Sequence, residues 1–183
     1  ARLDKPARLL CVRLDYALED VRSTPTEYRD GLIALMGQIT AGLAECGFRK
    51  PVFLAQLDCG TAEVSDHPAI RAQAELVWNH ADHDLVFASP SYCFAQDSYG
   101  RPTAQGLQQM AEIEAAALMT VHCGSEWLCP SLLLAEREAG HRVRIKARAM
   151  GDLVLDAGDP FGAGPAAGFS LTGDTKGARI LSV

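Results

Sequence analysis

The stretch PVFLAQL, Pro51 to Leu57, decides the fold of this chain. It is a short, mostly apolar run, the pattern of a strand buried on both faces. A run of the same kind lies on either side of it: RLLCVRL, Arg8 to Leu14, and HDLVFAS, His83 to Ser89. Between the first two, STPTEY gives a helix start, in which Thr24 caps, Pro25 fits the first helical position and Glu27 completes a capping box. Tyr28, Leu32, Leu35, Met36, Ile39, Leu43 and Cys46 follow at helical spacing as one apolar stripe, and Gly47 supplies the stop. Between the second and third runs, SDHPAIRAQAELVWNHA reads as another helix, with Asp66 as its cap. After the third run comes DSYGRPTAQG, Asp97 to Gly106, and then a long helix, PTAQGLQQMAEIEAAALMTV, ending near Gly124.

Strand and helix alternate, which predicts an α/β fold: a parallel sheet covered by helices. In such sheets chemistry usually sits on loops beyond the carboxyl ends of the strands. DSYGRPTAQG occupies a place of that kind.

The pattern changes after about Gly140. HRVRIKARA alternates strictly, with Val143, Ile145 and Ala147 on one face and Arg142, Arg144, Lys146 and Arg148 on the other. The β-like runs DLVLD, GFSLT and ARILSV follow, separated by the Gly- and Pro-rich AGDPFGAGPAAG. This predicts antiparallel strands with loops, and hence two parts: residues 1–140 as an α/β domain, and 141–183 as a β extension or the start of a β-sandwich.

With 183 residues, 48% of them hydrophobic, the chain suits one domain with a small appendage. A net charge of −6 argues against nucleic acid as a partner. No apolar run approaches the length of a membrane span, no signal peptide is visible, and the chain opens at Ala1 rather than at a methionine. The six cysteines form no CxxC pair and no regular framework, so they are expected to be reduced thiols.

Several chemistries lack their residues. No G-x-S-x-G elbow, Gly-rich phosphate loop or dinucleotide fingerprint occurs, and no cofactor is expected. His80 and His83 flank Asp82, but three apart at a helix end they suit a solvated last turn better than a metal site, so no metal is expected. His122 and Cys123 are helix neighbours and point in different directions. The Arg142, Arg144, Lys146, Arg148 stripe is the strongest charge feature. It could hold an anionic polymer such as an acidic glycan. The plainer reading is a solvated strand face whose cations discourage edge-to-edge pairing.

The order of TPTEYRDGLIALMGQI, KPVFLAQL, AIRAQAELVWNHADHDLVFAS and RPTAQG resembles the SGNH hydrolases, in particular the sialate O-acetylesterase-like domains of bacteriophage or gene-transfer-agent-like tail proteins. The segment from Gly151 to Val183 resembles the β module that follows such domains. The likeness covers most of the chain. It implies an SGNH/flavodoxin-like sheet, complete or lacking its amino-terminal part. It also implies a place in a tail, fibre or spike, made in the bacterial cytoplasm, with other virion subunits and host-surface polysaccharide as partners.

The departures from that family bear on catalysis. The family uses a Ser nucleophile, a Gly and an Asn for the oxyanion hole, and the Asp and His of a D-x-x-H-P-T-x-x-G loop. Here no G-D-S or G-Q-S block exists, so the nucleophile is absent or lies upstream of Ala1. CVRLDYAL, where the family carries its oxyanion motif, has neither the Gly nor the Asn. Aligned on P-T-x-x-G, Arg101 takes the place of the His and Ser98 that of the Asp, with Asp97 one residue out of register. A guanidinium stays protonated and cannot accept a proton from Ser. The expectation is therefore a degenerate, non-catalytic domain with a vestigial loop at Asp97, Ser98 and Arg101, unless His67 reaches the site. The alternative is an active carbohydrate O-acetylesterase whose Ser lies upstream.

Overall fold

The structure, a computed structural model, describes residues 8–14, 23–57, 68–76, 84–98 and 101–154, with isolated positions at 158, 166, 169, 179 and 180. The chain divides into two compact units, Ala1–Met150 and Gly151–Val183. In the second, the described residues include turn positions at Gly158 and Ala166, the latter closed by the Phe169 N–H donating to the Ala166 oxygen at 2.9 Å. The three β-like runs expected there lie mostly outside the described residues.

The first unit opens with β1 (Val12–Arg13), α1 (Pro25–Glu45), β2 (Phe53–Leu57), α2 (Pro68–Leu76), β3 (Leu85–Pro90) and α3 (Ala104–His122). The strands form a three-stranded parallel sheet in the order β1-β2-β3. The expected alternation of strands and helices is thus present. β1 is shorter than the seven-residue run predicted. Its pairing starts where Val12 N–H donates to the Val52 oxygen at 2.8 Å, with Val12 in register against Phe53.

Side-chain parity sends each strand's alternate residues to opposite faces. Val12, Leu14, Phe53, Ala55, Leu85 and Phe87 meet Tyr28, Leu32 and Met36 of α1 and Ala72 and Leu76 of α2. Leu54, Val86 and Ala88 face Ile113, Ala117 and Leu118 of α3. The result is three layers, with α1 and α2 on one side of the sheet and α3 on the other. Phe53 and Met36 are wholly buried at the centre of the larger cluster. Truncating either to Ala removes buried carbon and leaves a cavity, at a cost of about 2–5 kcal/mol.

Helix boundaries follow local chemistry. Thr24 and Glu27 exchange hydrogen bonds as a capping box, with Pro25 in the first turn. At the other end Gly47 adopts φ 79°, with Gly47 N–H donating to Ala44 O and Phe48 N–H to Leu43 O, the paired bonds of a left-handed helix stop. Gly124, at φ 81°, ends α3 in the same way. The predicted Asp66 cap and the end of the second predicted helix lie outside the described residues.

A hairpin follows, β4 (Ser131–Arg137) against β5 (Val143–Arg148), antiparallel. β5 is the alternating run read from the sequence. Its partner SLLLAER carries no such alternation, because the apolar Leu132, Leu133 and Leu134 are consecutive. The described cysteines Cys11, Cys46, Cys93, Cys123 and Cys129 are all free thiols, as expected.

Candidate functional site

At the carboxyl ends of the parallel strands the structure gathers residues that sequence reading did not single out. Arg13 ends β1, Gln56 lies near the end of β2, Ser89 near the end of β3, and Glu114 sits mid-way along α3. The Ser89 hydroxyl donates to Gln56 Oε1 at 2.8 Å, and Gln56 Nε2 donates to Glu114 Oε1 at 2.9 Å. Arg13 Nε donates to both Glu114 oxygens at 3.1 Å. The Glu114 side chain keeps only 12% of its surface exposed, against 35% for Arg13.

A change of register makes this chain of contacts. Ala55 pairs with Phe87, but Leu57 pairs with Pro90, so Ala88 and Ser89 together oppose Gln56. By strict alternation Ser89 belongs to the face of Leu85 and Phe87. The extra residue turns it to the Gln56 side, the re-aiming that a β-bulge produces. Trp127 Nε1 donates to the Ala88 oxygen at 2.8 Å, fastening the bulge from the α3 side.

The chemistry open to these groups is limited. Ser89 gives its proton's hydrogen bond to an amide oxygen, which is no general base at neutral pH. The Glu114 carboxylate is already held by a guanidinium and an amide. Nearby Cys11 has its thiol pKa raised, first by burial and then by the Glu114 charge, so it stays protonated and unreactive at neutral pH.

The predicted loop lies beyond β3. A 3-10 turn at Ser91–Cys93 leads to buried Phe94, and Gln96 then bridges Pro102 in antiparallel fashion. Asp97 N–H donates to the Arg101 oxygen at 2.8 Å, while Asp97 Oδ1 accepts from the Arg101 backbone N–H at 2.9 Å. The contact between Asp97 and Arg101 therefore runs through the Arg101 main chain. Thr103 N–H donates to Ala95 O at 2.9 Å, and the Thr103 hydroxyl caps α3 through Gly106 N–H. Ser98 and Arg101 are exposed.

The described histidines lie elsewhere. His122 Nε2 is 3.0 Å from the Leu10 oxygen at the amino-terminal end of the sheet. His141 stands between β4 and β5. His67 and the His80, Asp82, His83 group fall outside the described residues, among which no cluster of metal-ligating side chains occurs. On the hairpin, Arg144 pairs with Glu138, Lys146 Nζ with Glu136 at 2.9 Å, and Arg148 Nε donates to Ser131 Oγ at 3.3 Å. Arg142 is exposed. The apolar face of the hairpin also stays open, with Leu132 at 62%, Val143 at 56% and Ile145 at 38% exposure.

No family model matches the chain, and no curated protein or solved structure matches it either. No helix among the described residues is long and apolar enough to cross a membrane.

Proposed function

We propose that this chain is a non-catalytic SGNH-like domain of a phage-like virion component, a tail, fibre or spike part. The observation that carries the reading is the loop after β3. Its Asp97 carboxylate is engaged by the Arg101 backbone, and a permanently charged Arg101 stands where the resemblance places the proton acceptor. The sheet supports the same reading. In the doubly wound order 2-1-3-4-5 the last three strands are neighbours in sequence, as β1-β2-β3 are. Among the described residues Ser89, a hydroxyl at the carboxyl edge, is tied to an amide and has no hydrogen bond to a base.

The virion setting rests on the resemblance. Within it, the ion pairs of Arg144 and Lys146 favour a structural role over capture of an acidic host glycan, since Glu136 and Glu138 already neutralise those cations. The test is hydrolysis of an acetylated sugar by the purified chain. Acetate release at the protein-free rate is expected. Turnover abolished by Asp97→Asn or His67→Ala would overturn the proposal in favour of an O-acetylesterase.

A further inference from the structure

A cavity of about 640 Å³ lies at the amino-terminal end of the sheet, opposite the edge where the network sits. Arg8, Arg49, Lys50 and His122 line it, together with the apolar Leu9, Leu10, Phe48, Pro51 and Val52. Three residues of one sign lie together in a chain whose net charge is −6. The left-handed turn at Gly47 sends Phe48, Arg49 and Lys50 across this end before Pro51 enters the sheet. His122 is held there by Leu10; a carbonyl oxygen only accepts, so Nε2 carries the proton of that bond.

Cations near helix C-termini have a plain explanation, since they offset the helix dipole. The magnitudes leave a remainder. The ends of α1 and α3 contribute about −0.5 charge each at this edge, and less beyond the last turn. Lys50 Nζ lies 3.6 Å from Asp84 and is taken up by its own pairing. Against the helix ends stand the two positive charges of Arg8 and Arg49, which leaves about one positive charge over among the described residues. Neither Arg8 nor Arg49 has an ion-pair partner among the described residues. The cavity volume falls within the ~300–1,000 Å³ of small-molecule sites.

We propose that this cavity binds a small organic acid: one anionic head, a carboxylate or a phosphate monoester, on an apolar body. The head lies against Arg8 and Arg49, and the body against Leu9, Leu10, Phe48 and Val52. This site is independent of the reading given to the loop after β3, and esterase activity in that loop would leave it untouched.

The test is titration of the full chain with hexanoate, hexyl phosphate and hexanol, followed by backbone amide shifts. Hexanoate, hexyl phosphate or both are expected to shift the amides of Leu9, Leu10, Phe48, Arg49, Lys50 and Val52, while hexanol leaves them in place. The two acids separate carboxylate from phosphate as the preferred head. Arg49→Gln should weaken binding roughly fivefold, the upper end for one partly exposed ion pair, and raised salt should weaken it further. Arg144→Gln, on the hairpin, should change nothing and serves as the control. Absence of shifts with both acids, equal shifts with hexanol, or affinity unchanged in the Arg8→Gln, Arg49→Gln double variant would overturn the proposal.

Discussion

Gly106 shows how much one missing methyl group can decide. It sits in the first turn of α3 where the helix crosses Ala95, and a Cβ built there would lie inside the van der Waals shell of the Ala95 carbonyl oxygen. The obstacle is backbone, itself fixed by Thr103 N–H and the Thr103 hydroxyl, so it cannot rotate aside as a side chain would. Gly106→Ala is expected to destabilise the first unit by about 3 kcal/mol, the upper end for overpacking, as a lowered denaturant midpoint at unchanged slope. The sequence shows R-P-T-A-Q-G as a helix start, which the Thr103 cap fits; the need for glycine at 106 comes from the Ala95 carbonyl that the fold places there. The path of the Asp97 carboxylate does not. A pairing of Asp97 with Arg101, four positions on, reads as a side-chain ion pair or as a main-chain turn, and only the fold selects the second.

Among the elements, α1 was the most legible because its signals are local. Thr24, Pro25, Glu27 and Gly47 each act within a few residues of themselves, and the helix runs between them. Glu27 has its pKa lowered from the ordinary 4.5, first by the Thr24 backbone N–H and then by the Thr24 hydroxyl. A depressed folded pKa means that the carboxylate stabilises the fold above the unfolded value. That contribution disappears as pH falls through the lowered one. Glu27→Gln should therefore lower stability at neutral pH and leave the acid end nearly unchanged, which flattens the acid limb of the stability-against-pH curve; thermal melts between neutrality and acid pH check this. The bulge in β3 was hidden for the opposite reason. An apolar run gives a strand but not its register, and the extra residue shows only once Phe87 and Pro90 are fixed against Ala55 and Leu57. Gln56 and Ser89 were then read as strand residues. Glu114 carried a usable signal, since Gly106, Met110, Glu114 and Ala117 follow the spacing of one helical face that is otherwise apolar.

For the molecule as a whole, the parallel sheet was readable from three apolar runs and two helices. The functional assignment was less so, because it depends on which side chains meet across the strand ends. The strand order has a kinetic consequence. Each strand of β1-β2-β3 lies beside the next one in sequence, so the sheet can grow by successive short loop closures. The bond from Arg13 to Glu114 is of another kind, since it spans 101 positions and ties the first strand to the last helix of the sheet. Such a closure is expected to come late, after most native surface is already buried. Glu114→Ala also removes the carboxylate that accepts from the Gln56 amide and the Arg13 Nε–H, at an expected cost of about 1–3 kcal/mol. In a stopped-flow chevron that loss should fall on the unfolding limb, with the refolding rate nearly unchanged. The polar chain at the strand ends then acts as a latch: it adds little to how fast the protein forms and much to how long it stays formed.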